Sequence, residues 1–165
     1  MIYVYLVSLT LANLLVAWLG PWVSPINAFL LIGLDLTLRD RLHDKWQGQH
    51  LSIRMGGLIL AAGLLSFGIN QDAGIIAVAS VVAFTVSQML DALVYQKMIR
   101  FERWKRVNSS NAVGAGADSL IFPTIAFGGL MPEIVALQFA AKVAGGFVWS
   151  LILDSLSRHS NNAKA

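Results

Sequence analysis

Six apolar runs, at residues 2–19, 22–38, 51–69, 73–98, 112–130 and 134–156, take up most of the chain. A helix needs roughly 20 apolar residues to cross about 30 Å of hydrocarbon, and segments of this kind cannot all be hidden inside a small water-soluble fold. The breaks between them carry turn chemistry. "GPWVSP", "NQDAG" and "GLMPE" are short, whereas "RDRLHDKWQGQH" and "RFERWKRVNS" read as longer, charged loops. Only 13% of the 165 residues are charged, against about a quarter in a typical soluble domain. The expectation is therefore an all-α integral membrane protein with six transmembrane helices. One domain spans residues 1–157, and a short cytoplasmic tail follows over 158–165.

Charge sets the expected orientation. With six spans, the N-terminus, the second and fourth loops and the tail share one side of the membrane. Those segments and the helix ends beside them hold Arg39, Arg41, Lys45, Arg54, Lys97, Arg100, Arg103, Lys105, Arg106, Arg158 and Lys164, eleven of the twelve Lys and Arg. The twelfth, Lys142, lies inside the last run, and the three loops of the other side hold none. The positive-inside rule places both termini in the cytoplasm of a multi-pass cell-membrane protein. The net charge of +3 is thus explained by loops at a lipid bilayer, and no nucleic-acid partner is expected. No basic residue precedes the first run and no small-residue cleavage signal follows it, so it reads as a retained helix. Trp18, Trp22, Trp46 and Trp104 near run ends are expected to anchor at the interface, with Trp149 less clearly placed. The chain has no Cys, so disulfides and thiolate metal sites are out of consideration, and neither a metal nor a cofactor is expected.

Polar groups inside the runs are the informative exceptions, because they are costly in lipid and normally face the protein interior or a wet cavity. They are Asn13, Asp35, Gln88, Asp91, Asp118, Gln138, Lys142 and, near a helix end, Asp154. Helical spacing places Gln88, Asp91 and Tyr95 on one face of the fourth run, and Asn111, Asp118 and Phe122 on one face of the fifth with Ser119 beside them. Gln138, Lys142 and Trp149 share a face of the sixth. Three polar stripes, each with an aromatic, make a wall suited to a flat polar ligand. Counting from the run ends puts Asp118 and Lys142 about 15 Å and 12 Å deep, near the midplane. They read either as an ion pair locking two helices or as groups lining a site, and an empty site can hold the pair that a ligand opens. Asn13 reads equally as an interhelical hydrogen bond. Asp35 reads as reaching water or pairing with Arg39 one turn on, and Asp154 as solvated.

Pro123, among Gly114, Gly116, Gly128 and Gly129, is expected to weaken the fifth helix near the midplane, as broken helices at transport sites do. Gly114 and Gly116, with Gly56–Gly57 and Gly145–Gly146, read as close-packing positions. A weak internal symmetry relates "LTLANLL" to "FTVSQML", aligning Asn13 with Gln88, and relates "GLDL" to "GADS". It predicts two inverted three-helix repeats.

"SQMLDALVYQKM", "SNAVGAGADSLIFPTIAFGG" and the Gln-x-x-x-Lys pair of "QFAAK" resemble the queuosine-precursor transporter family, also called the vitamin uptake transporter or VUT family. The resemblance covers the chain as six spans and is most specific in the last three. It implies a membrane transporter importing 7-deazaguanine bases, such as 7-cyano- or 7-aminomethyl-7-deazaguanine, that serve queuosine synthesis in tRNA. The positions it carries over are Gln88, Asp91, Asn111, Asp118, Ser119 and Lys142. On such a ligand, Asp118 would accept the paired donors of the guanine-like edge. Lys142, Gln88 or Gln138 would reach its carbonyl, Phe122 or Tyr95 would stack, and Asp91 would relay a coupling proton. An alternative is the substrate-binding subunit of an energy-coupling vitamin or nucleobase importer. The first run offers Ser8, Ala12 and Ala17 for docking but no Ala-x-x-x-Ala. An enzyme is disfavoured, since His43, His50 and His159 all lie outside the runs. The oligomeric state is left open, and a homo-oligomer is compatible with the sequence.

Overall fold

A computed structural model describes residues 1–46 and 50–162, without the side chains of residues 40, 43, 44, 51, 52, 103, 104, 106, 107 and 157–162. The described chain is helical. Helix α1 is Ile2–Leu19, α2 covers residues 24–46, α3 is Leu51–Ile69, α4 is Gly74–Lys97, α5 is Arg103–Ala126 and α6 is Pro132–Asn162. Gly20 ends α1 at φ +78°, a conformation that side chains avoid, and Pro21 then opens a single 3₁₀ turn into α2. Helix α2 is composite. An α-turn at Ser24–Asn27 runs into one π-helical turn at Ala28–Ile32 and then into the α-helix Gly33–Trp46.

Four segments are long and apolar enough to cross a bilayer: Ile2–Leu19, Pro21–Arg39, Gln71–Lys97 and Pro132–Leu156. Ile53–Ile69 is a shorter apolar helix. Helix α5 has 24 residues, about 36 Å at 1.5 Å per residue, so it has the length to span. Its serines, Asn111, Asp118 and glycines dilute its hydropathy.

The helices close a ring in the order α1, α3, α4, α5, α6, α2, with α4 and α5 sharing the most extensive seam. Large apolar side chains such as Val7, Leu30, Leu60, Leu64, Val78, Leu120 and Leu151 point outward, while Ser8, Asn13, Ser24, Asn27, Asp35, Gln138 and Lys142 are buried. This distribution suits a hydrocarbon surround, where lipid solvates the greasy face and the protein must satisfy its own polar groups.

Several expectations are corrected. "RDRLHDKW" is not a loop but the continuation of α2. Leu38, Leu42 and Trp46, four residues apart, form one stripe that packs with Tyr5, Leu9, Met55 and Ile59 in the apolar core. Trp46 is accordingly only 8% exposed and stacks under the Arg54 guanidinium, 5.5 Å from its ring centre, rather than anchoring at the interface. Trp18 and Trp22 are exposed as expected, whereas the Trp104 side chain lies outside the described residues. The surroundings of His43 and His159 lie there too. "RWKRVNS" is likewise helical, forming the first turns of α5, and α6 continues unbroken through residue 158 to Asn162.

Pro123 does not break α5 midway. It is buried in the last turn, and the helix continues to Ala126. Of the candidate packing glycines, Gly145 and Gly114 are tight. A methyl group on Gly145 would come within 2.3 Å of the Phe29 carbonyl oxygen, and one on Gly114 within 3.3 Å of Asp91 Cβ. Gly56 and Gly57 face open space, and Gly116 has only Phe139 at 3.9 Å. The inverted repeat would equate α1 with α4. In the first half α1 packs on both its companions, but in the second half α5 holds that position. The proposed correspondence is not mirrored in the packing.

Candidate functional site

The helical ring surrounds a cavity of about 530 Å³ to which all six helices contribute. Its most polar corner is built from α5 and α6. The Lys142 ammonium donates to Asp118 Oδ2 at 2.5 Å, to Ser119 Oγ at 3.1 Å and to Gln138 Oε1 at 3.3 Å. Lys142 and Gln138 are one turn apart on α6, and Asp118 and Ser119 are adjacent on α5, so the packing of α5 on α6 brings the four together. Gln138 is oriented from behind by its own amide, which donates to Ser24 Oγ at 2.8 Å. The Ser24 hydroxyl in turn donates to the Pro21 carbonyl at 2.7 Å. The ammonium is 3% exposed and fully engaged, whereas the Asp118 side chain keeps 24% of its surface open. Asp118 is thus the member of the pair that an incoming group can reach.

A second polar corner lies across α1, α3 and α4. Asn13 donates to Ser66 Oγ at 3.3 Å and accepts from Ser80 Oγ at 2.7 Å, so it ties three helices together while also lining the cavity. On α2, the Asn27 amide donates to the Ala12 carbonyl at 3.0 Å immediately before the π turn. Single π turns frequently mark functional sites, since they re-aim the side chains that follow.

Of the residues singled out in the sequence, Asp118, Lys142, Asp91, Asn111, Asn13, Phe122 and Gln138 line the cavity. Ser119 stands just behind the wall, on Lys142. Gln88 and Tyr95 are not part of the wall. The inward stripe of α4 is Ser80, Phe84, Ser87 and Asp91, at intervals of four, three and four, and it meets the predicted stripe only at Asp91. Along this stripe α5 approaches closely, with Gly114 set against Asp91 and the Ser87 backbone carbonyl. On α6, Phe147 and Ser150 take the place expected for Trp149.

Asp35 was expected to reach water or pair with Arg39 and not to join the wall, and its neighbours Ser24, Asn27 and Thr37 were not singled out. Asp35 neither reaches water nor sits at the surface. It is 5% exposed, lines the cavity and accepts a hydrogen bond from the Ser8 hydroxyl. Ser24, Asn27 and Thr37 line the same wall. Asp154 pairs with Arg41 at 2.6 Å on the exposed side, bridging α6 to α2.

A family model described as "Putative vitamin uptake transporter" matches residues 1–153 of the chain. The chain belongs to this family. Neither a curated protein nor a solved structure matches it. Membership makes the chain a multi-pass membrane transporter of a small-molecule substrate. In this transporter the aromatic side chains on the cavity wall, among the described residues, are Tyr5, Phe84, Phe122 and Phe147, and Phe122 is itself braced edge-on by Phe127 at 6.1 Å between ring centres.

Proposed function

We propose that this vitamin uptake transporter is a six-span importer of a 7-deazaguanine-type base, with both termini in the cytoplasm and the substrate held between Asp118 and the rings on the cavity wall. The observation that carries this reading is the half-open Asp118–Lys142 pair on the wall of a roomy cavity. A pair serving only as a lock would be closed on all sides, whereas Asp118 retains surface toward open volume. A carboxylate can accept the two adjacent N–H donors of a guanine-like edge at once, and such charge-assisted pairs are the strong ones. Once the ligand takes its place on Asp118, a Lys142 N–H released from that carboxylate would reach the ring carbonyl, and Phe122 would supply a stacking face. The volume of about 530 Å³ falls inside the roughly 300–1,000 Å³ common to small-molecule sites.

The test is uptake of labelled 7-cyano- and 7-aminomethyl-7-deazaguanine by the purified chain in liposomes. Wild-type protein should accumulate one or both bases unaided, and Asp118→Asn should reduce uptake to background while the protein still inserts and remains monodisperse. Uptake by Asp118→Asn at the wild-type rate would remove that carboxylate from the site. Tight binding without any uptake would favour instead a substrate-binding subunit that requires energy-coupling partners.

A further inference from the structure

The two ends of the cavity are built differently. At the end shared by the α1–α2, α3–α4 and α5–α6 connections, the wall residues Val16, Ser24, Asn27 and Gln138 are buried. Side-chain hydrogen bonds run around the ring there. Gln138 of α6 donates to Ser24 of α2, Asn27 of α2 donates to the Ala12 carbonyl of α1, and Asn13 of α1 holds both Ser66 of α3 and Ser80 of α4. Helix α5 is held to α6 through Lys142, which reaches Asp118 and Ser119.

Toward the α4–α5 connection the wall is open instead. Among the described residues its exposed members are Asn108 and Ala112 of α5 and Val143 and Phe147 of α6. All four lie on that side of the Asp118–Lys142 pair. Helices α5 and α6 thus meet at the pair and leave a cleft beyond it, which is the mouth of the cavity. A cavity open at one end cannot pass a molecule from one side of a membrane to the other, so transport requires the sealed end to part. Of the ties that seal it, the one between Gln138 and Ser24 alone involves a residue that also holds Lys142. Gln138 is 1% exposed, with its oxygen taken by the ammonium and its amide by Ser24. It is placed to fasten the seal to the polar corner. A neutral hydrogen bond contributes little net free energy, so such a tie holds the end shut without locking it.

We propose that the Gln138–Ser24 hydrogen bond is the bar of a gate at the sealed end of the cavity, with Gln138 a positioning residue that acts through Ser24. The structure is then the state in which this gate is shut and the α5–α6 mouth is open. The inference rests on the cavity being the path of the substrate; it does not depend on which base is carried.

The experiment uses the full chain in sealed vesicles, where the absence of Cys lets a single reporter be read. Ala115→Cys places that reporter on the α5 wall, at a half-buried position between Asn111 and Asp118. A membrane-impermeant methanethiosulfonate is applied either on the side where Arg100→Cys reacts or on the side where Asp72→Cys reacts. With the bar intact, Ala115→Cys should react at least tenfold faster from the Arg100 side. Adding Ser24→Ala, which removes the acceptor of the bar, should speed the reaction from the Asp72 side by about fivefold, the scale of one net hydrogen bond. Gln138→Leu, which removes the donor, should give the same rise. Ala62→Cys, fully buried in the apolar core, should stay unreactive in every background. Equal rates from the two sides with the bar intact, or faster reaction from the Asp72 side, overturn the proposal without recourse to any gate variant. An unchanged Asp72-side rate in Ser24→Ala or Gln138→Leu overturns it too, as does a rise shared by Ala62→Cys, which would mean general loosening. No ligand enters the measurement, so its failure is distinct from a failure to import deazaguanines.

Discussion

Lys142 has three N–H donors and three protein acceptors, so in the ligand-free protein its charge is neutralised and its geometry is fixed. That arrangement separates two roles that a single substitution would confuse. Lys142→Gln removes the cation and strands the Asp118 carboxylate. The expected loss is about 2–3 kcal/mol, less than the ~3–5 kcal/mol of a fully buried pair, because Asp118 is 24% exposed and partly solvated. Replacing both residues, Asp118→Asn with Lys142→Gln, leaves no stranded charge, and most of that loss should be recovered in thermal unfolding of the detergent-solubilised protein. Uptake should stay absent in both variants; a double variant that is stable and imports normally would make the pair a lock and nothing more. These two residues were legible in the sequence because a formal charge deep in an apolar run is rare. Ser8, Ser24 and Asn27 were not. Serines are common in membrane helices, where they bond back to carbonyls of the preceding turn, as Ser8 does with Val4, and only the fold reveals a second partner. Gln88 was favoured over Ser87 for a related reason. Residue type drew the stripe toward the larger amide, while the fold places the small hydroxyl residue beside it on the wall.

The helices of this transporter are positioned by backbone approach as much as by side chains. At the α2–α6 crossing, Gly145 rests on the Phe29 carbonyl of the π turn, and Gly33, one turn further along α2, meets the Gly145 backbone as well. A methyl group has no room there, and the atom it would meet belongs to backbone that cannot rotate aside. Gly145→Ala should therefore cost about 2–3 kcal/mol through forced separation of the two helices. Gly56→Ala on α3 should instead be neutral or stabilise by roughly 0.5–1 kcal/mol, because a methyl group there meets nothing and helix propensity favours alanine. Unfolding midpoints of the two variants in the same detergent check the contrast, and equal effects would show that the α2–α6 seam does not depend on close approach. The sequence marks both glycine pairs alike, since a doublet of small residues carries no information about what lies opposite. Averaging also obscured the true ends of α2 and α5. Charged residues in "RDRLHDKW" lower the mean hydropathy, yet every fourth residue is apolar, and that periodicity survives as a buried stripe from Leu38 to Trp46. The π turn left no sequence signal at all.

At the scale of the whole molecule, the six helices follow from the six apolar runs, four of which are long and apolar enough to cross a bilayer by themselves, and the apolar outer face follows because the bilayer demands greasiness regardless of how helices pack. The ring order does not follow, since it depends on which faces fit, and the packing departs from the repeat suggested by weak internal similarity. Orientation belongs to a third kind of information. It is written in loop charges, and the fold of the isolated chain is the same whichever way it sits in the membrane. The basic residues Lys97, Arg100 and Lys105 cluster around the α4–α5 connection, whereas the Gln71–Ala73 turn between α3 and α4 carries only Asp72. Translocating the first connection costs more than translocating the second, so the expected arrangement keeps Arg100 inside and Asp72 outside. The absence of Cys provides a clean background for measuring this. Asp72 and Arg100 are both exposed, so a single Cys at either position should be tolerated. A membrane-impermeant maleimide added to intact cells should label the Asp72→Cys protein and not the Arg100→Cys protein, and both should react once the membrane is permeabilised. The reverse pattern would invert the topology. Asp91, nearer the basic end of α4, would then face the outer side, and any substrate would enter the cavity from the end assigned here to the cytoplasm.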